Sequence, residues 1–402
     1  HPDDDGLIKH QVERLTTKAV RRIGVMVTGG STSIKDLWDP LREAGAMARA
    51  TLLAAAVRAW ELPNAQGCRI DDGVVIAPDG RRLRYGELVA RNGSKLEPAT
   101  EWRVKEAAER RIIGRSRPRL PEEVLAKVTG RARFALDVQE PDMLFALVDW
   151  SPYREGRIAV SNGDALRKLP GVVDLVSVPA LAGGPPGLAV LARSRFQAER
   201  ALGQLVAQWV AGEAGTFSDA DIDRELQTAL EDPSAGHRYR NVGDVDAVFE
   251  LPERSDTARS LTADYAVPFL AHAAMEPLAC AVKFETDRAT VWAGVQIPDV
   301  ARSAAAKVFE LDAEQVALES LYLGGAFGRR LEADFIAQAA AIAKVVPGRL
   351  VQVSWRREDD TRNDFFRPAA RARLRARLDD AGQVVAFAAH SSGQSIVKQS
   401  FE

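Results

Sequence analysis

The sequence predicts an α+β protein with more than one domain, on three observations. Apolar residues recur at helical spacing in some stretches, as at Leu331, Phe335, Ala339, Ile342 and Val346, and alternate at period two in others, as over 350–355. Between residues 316 and 355 the chain reads strand, glycine turn, helix, strand. The length of 402 residues and a proline-punctuated stretch at 115–121 leave room for two or three cores.

Apolar residues make up 46% and charged residues 27%, the balance of a globular protein with a buried core. A formal net charge of −2 provides no basic field for nucleic acid. No apolar run reaches the length of a membrane span. Cys68 and Cys280 are the only cysteines, too few for a disulfide framework or for an iron–sulfur cluster, which takes about four thiolates. The chain opens on His1-Pro2-Asp3 without a signal pattern, and 395–402 ends without a cap or turn. Processing or truncation is therefore expected at both ends.

Taken in order, Asp3-Asp4-Asp5-Gly6 is a solvated acidic start and 23–27 a short strand. Gly29, Gly30, Ser31, Thr32 and Ser33 follow, and then a helix whose stripe runs Leu37, Leu41, Ala44, Ala48, Leu52, Ala55, Ala59. Ser33 with Asp36 fits a capping box. Backbone N–H groups, hydroxyls and a helix N-terminus can together hold a phosphate; the same residues also suit a flexible loop with an N-cap. Small strands are expected over 68–77 and 82–88 around the Asp79-Gly80 turn, and a charged helix over 101–111. Beyond 115–121 come a strand-and-turn segment at 127–138, strands at 144–148, 172–178 and 188–191, a helix over 195–210, and an acidic linker at 216–233 with a helical piece at 220–230. Trp150 and Trp209 read as core.

From residue 238 onward, 281–284 and 289–295 form adjacent strands that end on Gln296 before Pro298. An amide there is either an exposed strand end or a group with a bond to make. A helix over 300–309 leads to the strand at 316–323. Then comes Gly324-Gly325-Ala326-Phe327-Gly328-Arg329-Arg330, opening onto the helix at 331–346. Residues without Cβ let a backbone approach a ligand closely, and helix-start N–H groups favour an anion. Arg329, Arg330 and Phe327 add cations and an aromatic wedge, although a tight turn with packing glycines fits the same pattern. Arg371, Arg373, Arg375 and Arg377 line one face of a strand over 370–378. That face suits phosphates, an acidic partner or plain solvent.

Gly-Gly-Ala-Phe-Gly-Arg-Arg-Leu-Glu-Ala-Asp at 324–334 resembles the glycine-phenylalanine-glycine loop of the molybdenum hydroxylases, the xanthine dehydrogenase and aldehyde oxidoreductase superfamily. Further stretches agree with it: Thr-Gly-Gly-Ser-Thr-Ser with Trp-Asp-Pro-Leu-Arg at 28–42, His-Ala-Ala-Met-Glu-Pro at 272–277, Trp-Ala-Gly-Val-Gln-Ile-Pro at 292–298, and Trp-x-Arg-Glu-Asp at 355–359. Their order resembles the branch of the isoquinoline 1-oxidoreductase beta subunit, where the serine-rich loop comes early.

The resemblance implies a molybdopterin-binding large-subunit architecture, with a small α+β domain at 115–235 between cofactor-binding regions at 1–114 and 236–402. It implies molybdopterin cytosine dinucleotide as cofactor, with molybdenum held by the pterin and its terminal ligands rather than by protein side chains. Gly29, Gly30, Ser31, Thr32 and Ser33 would take the dinucleotide end. Gln296, Gly325, Ala326, Phe327, Gly328 and Arg329 would surround the metal end, with Gln296 donating to an oxo ligand. The implied reaction is hydroxylation of an N-heteroaromatic or aldehyde carbon with oxygen from water. Electrons would leave through a small 2Fe–2S subunit, with a cytochrome as a further acceptor. The branch favours the bacterial periplasm and leaves the cytoplasm open. An aldehyde dehydrogenase of the same cofactor class and a non-catalytic binding or assembly module are the alternatives. The family's glycine-glutamine-glycine loop is absent, its general-base glutamate has no counterpart here, and Ala326 stands where a glycine is common. Glu332 sits one position beyond the family's substrate-orienting glutamate, so that role is not transferred.

Overall fold

The structure, a computed structural model, describes residues 26–93, 96–116, 118–212, 217–232, 234, 236–253 and 259–396. The acidic opening at 3–6, most of the strand expected at 23–27, and residues 397–402 of the expected cut end lie outside the described residues. The chain divides into two compact units, Thr28–Arg131 and a larger one built from the described parts of His1–Val27 and Ala132–Glu402.

The smaller unit contains helix α1 (Ser33–Ala59), strands β1 (Arg69–Asp71), β2 (Val74–Ile76) and β3 (Arg82–Arg84), and helices α2 (Tyr85–Asn92) and α3 (Pro121–Val128). β1, β2 and β3 form an antiparallel sheet in sequence order. Ala55 and Ala56 of α1 pack with Val75, Leu83 and Leu88. Three expectations change here. Residues 85–88 begin a helix, because the Glu87 carboxylate accepts the Arg84 N–H and caps it. Residues 101–111 hold only a 3₁₀ turn at Ala107–Glu109, since Glu109 bonds back to the Glu106 N–H and to Arg103. Residues 121–128 are helical, with Pro121 at the first turn.

The larger unit runs β4 (Leu144–Trp150), β5 (Arg157–Ser161), α4 (Gly163–Leu166), β6 (Val172–Val178), β7 (Gly187–Ala192), α5 (Arg195–Leu202), β8 (Ala207–Val210), α6 (Asp219–Glu231), α7 (Val245–Phe249) and β9 (Ser260–Val267). It continues with β10 (Ala279–Glu285), β11 (Arg288–Ala293), α8 (Pro298–Phe309), β12 (Val316–Ser320), α9 (Asp334–Ala343), β13 (Leu350–Ser354), α10 (Arg357–Arg362), β14 (Ala370–Leu378) and β15 (Val384–Gly393). The helix expected over 195–210 stops at Leu202, and the rest becomes β8, which pairs with β5.

A seven-stranded mixed sheet in the order β12-β11-β10-β13-β4-β7-β6 organises this unit. β13 pairs in parallel with β4, Val351 opposite Leu144. Strands from the expected small domain at 115–235 therefore share one sheet with strands beyond 236, a continuity of hydrogen bonding that proline punctuation does not reveal. α8 and α9 pack together on β10, β12 and β13, and Phe284 stacks on Phe309 with ring centroids 4.4 Å apart. α9 is buried almost all round, from Asp334 through Ala343. Each of its large apolar side chains, Phe335 and Ile336 among them, contributes about 1.5–3 kcal/mol by burial.

Strand direction builds the site. β11 and β12 are parallel, so both end at one edge of the sheet. β10 is antiparallel to β11 and to β13, so β10 begins and β13 ends at that same edge. The connections 272–278, 294–297, 321–333 and 355–366 are thereby gathered together.

β9, β14 and β15 form a separate antiparallel sheet. Its arginine-bearing face lies against α6 and α7: Arg371 pairs with Asp223, Arg375 stacks on Phe249 and Arg377 donates to the Pro252 carbonyl. Arg373 pairs with Asp264 directly across the sheet. The arginine row is thus occupied internally, rather than presented to phosphate or solvent. No helix among the described residues is long and apolar enough to cross a membrane.

Candidate functional site

The glycine loop at 324–328 is held in place from below. Arg330, 1% exposed, donates Nε to the Gly325 carbonyl at 3.0 Å, Nη1 to the Gly294 carbonyl at 3.1 Å, and Nη2 to the Glu276 carbonyl and carboxylate at 3.1 and 2.9 Å. One guanidinium so joins three of the four gathered connections. Glu276 accepts the Gly324 N–H at 2.9 Å, and its own N–H donates to the Gly324 carbonyl at 3.0 Å. A Cβ on Gly324 would fall 2.3 Å from the Glu276 Cβ, so only glycine permits this approach.

Arg329 is buried as well. Its Nη1 and Nη2 donate to Asp334 at 2.8 and 2.7 Å, and its Nε lies 2.8 Å from Asp364 Oδ1. The guanidinium carbon lies 4.9 Å from the Phe365 ring centroid and 5.7 Å from that of Trp355. Burial opposes the charge on Arg329, but Asp334 and Asp364 outweigh it and raise its pKa. Burial lowers that of Arg330. Neither side chain is offered to a ligand as a surface cation, which corrects the expectation for Arg329. The helix expected from 331 begins at Asp334, after a 3₁₀ turn at Arg329–Leu331. Its first turn already carries the Asp334 carboxylate, so the anion-binding helix start expected at the loop is filled from within.

The loop instead presents its backbone. Gly325, Phe327 and Gly328 have φ of 106°, 57° and 112°. Phe327 is 73% exposed in this left-handed conformation, a strain of about 1–3 kcal/mol of the kind found at ligand clamps. Among the described residues, the N–H groups of Gly325, Ala326 and Phe327 have no acceptor. Successive N–H groups around a left-handed residue form a nest for an anion or an oxygen ligand. Gln296 stands at its rim: its N–H donates to the Arg330 carbonyl at 3.0 Å and its Oε1 accepts from the Gly328 N–H at 3.2 Å. The structure thus brings Gln296, Gly325, Ala326, Phe327 and Gly328 together.

Below them lies a contact that the sequence did not signal. Asp364, 2% exposed at its side chain, accepts from the His272 N–H and lies 3.0 Å from His272 Nδ1. Burial works against the Asp364 charge; the His272 bonds and Arg329 overcome it and lower its pKa. His272 sits inside a recognised stretch, where it reads either as a satisfied core group or as one that supports the site from behind, and Asp364 belongs to none. Burial pushes the Cys280 thiol up, which suits a core residue.

In the smaller unit, Gly30 and Ser31 also have left-handed φ, 60° and 56°. The Thr32 N–H and Oγ1 both donate to the Gly29 carbonyl, at 3.3 and 3.2 Å. α1 begins at Ser33 with Thr32 as N-cap and without a side-chain cap. The Ser33–Asp36 capping box is not formed, because Ser33 is already helical and Asp36 donates its N–H to the Thr32 carbonyl.

A glycine nest at the edge of a mixed sheet, stapled by buried arginines and rimmed by an amide, is a geometry suited to an anionic or oxygen-bearing ligand. Known proteins place it further. Residues 230–395 match the molybdopterin cofactor-binding domain family. The chain is 28% identical to isoquinoline 1-oxidoreductase subunit beta of Brevundimonas diminuta, over 92% of this chain and 50% of that protein. It is 29% identical to the membrane-bound aldehyde dehydrogenase (pyrroloquinoline-quinone) of Gluconacetobacter polyoxogenes, over 90% of this chain and 47% of that one. The aldehyde oxidoreductase structure from Desulfovibrio desulfuricans shares the fold, with a TM-score of 0.51 and 16% identity over 67% of this chain and 33% of that one. The chain spans about half the length of the curated relatives it matches. Its residues 230–395 thus match a molybdopterin cofactor-binding domain, and most of the chain is similar to proteins of the molybdenum hydroxylase superfamily.

Proposed function

We propose that this chain binds molybdopterin cytosine dinucleotide with its molybdenum, as the large-subunit portion of a hydroxylase acting on N-heteroaromatic or aldehyde carbons. The unsatisfied nest of Gly325, Ala326 and Phe327, inside the family-matched segment, is the observation that carries the reading. The residues present fit such a group. Besides the nest, Glu276 Oε1 is buried without a partner, an acceptor suited to an N–H-bearing ligand. The donor set is N–H and amide rather than thiolate or imidazole, suited to oxygen ligands and pterin rather than to direct metal ligation.

When bound, the cofactor supplies the oxygen-transfer and two-electron chemistry, with water as oxygen source. The chain's part is to bind and orient. The nest N–H groups would donate to oxygen atoms of the bound group, and the Gly328 bond holds the Gln296 amide at the rim of the nest. Gly29, Gly30, Ser31, Thr32 and Ser33 take the dinucleotide end at the start of α1. Arg329 acts by fixing the loop. No residue here is assigned as general base. The electrons pass to a 2Fe–2S partner subunit.

A heterocycle substrate is supported by the name of one relative, and an aldehyde by the names of the other relative and of the structural neighbour. The test is molybdenum and nucleotide analysis of the natively matured complex. Near-stoichiometric molybdenum with releasable CMP supports the reading. Loss of both from a fully matured complex sinks it and leaves a non-catalytic module.

A further inference from the structure

We propose that His272 contacts the bound group directly, with Nε2 accepting from an N–H or O–H of that group at the outer face of Gly328. The inference rests on the cofactor reading above. Nδ1 is committed to Asp364 at 3.0 Å, and Asp364 is itself anchored by Arg329 at 2.8 Å. The buried carboxylate therefore fixes both the ring plane and the tautomer, with hydrogen on Nδ1. The opposite edge is unused. Among the described residues Nε2 has no hydrogen-bond partner, and the side chain is 18% exposed.

That edge is directed at the loop. Nε2 lies 3.5 Å from where a Cβ on Gly328 would stand. Gly328 donates its N–H to Gln296, so the imidazole and the amide meet the same residue. Any side chain at 328 would lie across Nε2. Glycine keeps this edge open in addition to allowing the φ of 112°.

Asp364 faces Nδ1, with Arg329 behind it. Glu276 and Arg330 form a pair beneath the loop, and Arg357 and Asp360 form one on α10. With the Nδ1 hydrogen held by Asp364, the Nε2 lone pair is left to accept from a ligand.

The test uses the full protein from a host that makes the molybdopterin dinucleotide and from one that does not. The chain has five histidines, so the His272 ring signals in ¹⁵N-histidine NMR are found by difference with H272F. The expected result is a displaced Nε2 resonance in the loaded protein only. His272→Asn keeps a donor near Nδ1 but has nothing at Nε2, and should lose molybdenum about tenfold faster on dialysis. His272→Gln, whose amide reaches the Nε2 position, should retain it. A role limited to bracing Asp364 predicts the reverse order, and that order overturns the inference. So does molybdenum binding with an unchanged His272 signal, which leaves the cofactor reading intact. Matured protein without molybdenum removes both.

Discussion

Two sets of arginines look alike in the sequence and behave differently in the structure. Arg329 and Arg330 follow the glycine loop, and Arg371, Arg373, Arg375 and Arg377 line a strand; either set could be a cationic binding surface. The first pair is 3% and 1% exposed, and its donors meet carboxylates and carbonyls from four separate connections. In the second set, Arg371 and Arg373 meet partners that remain about half exposed. The lesson concerns desolvation. A guanidinium removed from water must have its donors matched, and the groups that match it become fixed in turn. Buried arginines therefore hold a backbone in one shape, whereas the half-buried Arg371 and Arg373, paired with more exposed carboxylates, mainly balance charge.

Breaking the buried set should have the largest effect. Arg330→Met leaves the Glu276 carboxylate and the Gly294 and Gly325 carbonyls without their donor, and should destabilise the larger unit by about 3–5 kcal/mol in denaturant titration. Arg330→Lys should recover little of that, because an ammonium cannot span three directions; full recovery would show that charge alone matters. Next comes Gly324→Ala. A Cβ 2.3 Å from the Glu276 Cβ forces the loop outward, at about 1–3 kcal/mol and with loss of molybdenum retention. An alanine variant that is stable and binds metal would refute the packing argument.

Acid should separate the two sets more gently. The folded-state pKa of Asp364 is lowered, so its contribution is present above the unfolded value of about 3.9 and is lost as pH falls through the lower folded value. Stability should decline over that acid range, and Asp364→Asn should flatten the decline. A limb of identical steepness in the variant would assign it to other carboxyls. Smallest of all is Arg373→Ala. The pair with Asp264 lies on the surface, so stability should stay within error in both low and high salt. A clear loss would show that the strand arginines are structural too.

Much of this was legible locally. The hairpin of β10 and β11, the helix after Pro298, β13 and the extent of α6 follow from periodicity, turn residues and proline placement, which act within a few residues. The glycines at 324, 325 and 328 marked the loop because close approach and left-handed φ require them. Other elements were misread where a distant partner or a side-chain cap decides the outcome. The stretch 207–210 is a strand because β5 lies beside it, and 107–109 stops at one turn because Glu109 bonds back to the backbone.

By itself, then, the sequence determined that a glycine loop follows a strand and precedes a helix with an apolar stripe, with an amide at Gln296 closing another strand. Only the tertiary structure decided where the charges go. Arg329 finds Asp364, Arg330 finds Glu276, and His272 is turned toward Gly328 by a carboxylate 92 positions away. Backbone conformation is encoded by neighbours along the chain. The neutralisation of a buried charge depends on whichever groups the packed sheet brings within about 3 Å; Asp334 is near Arg329 in sequence, but Asp364 and Glu276 lie tens of residues from the arginines they meet.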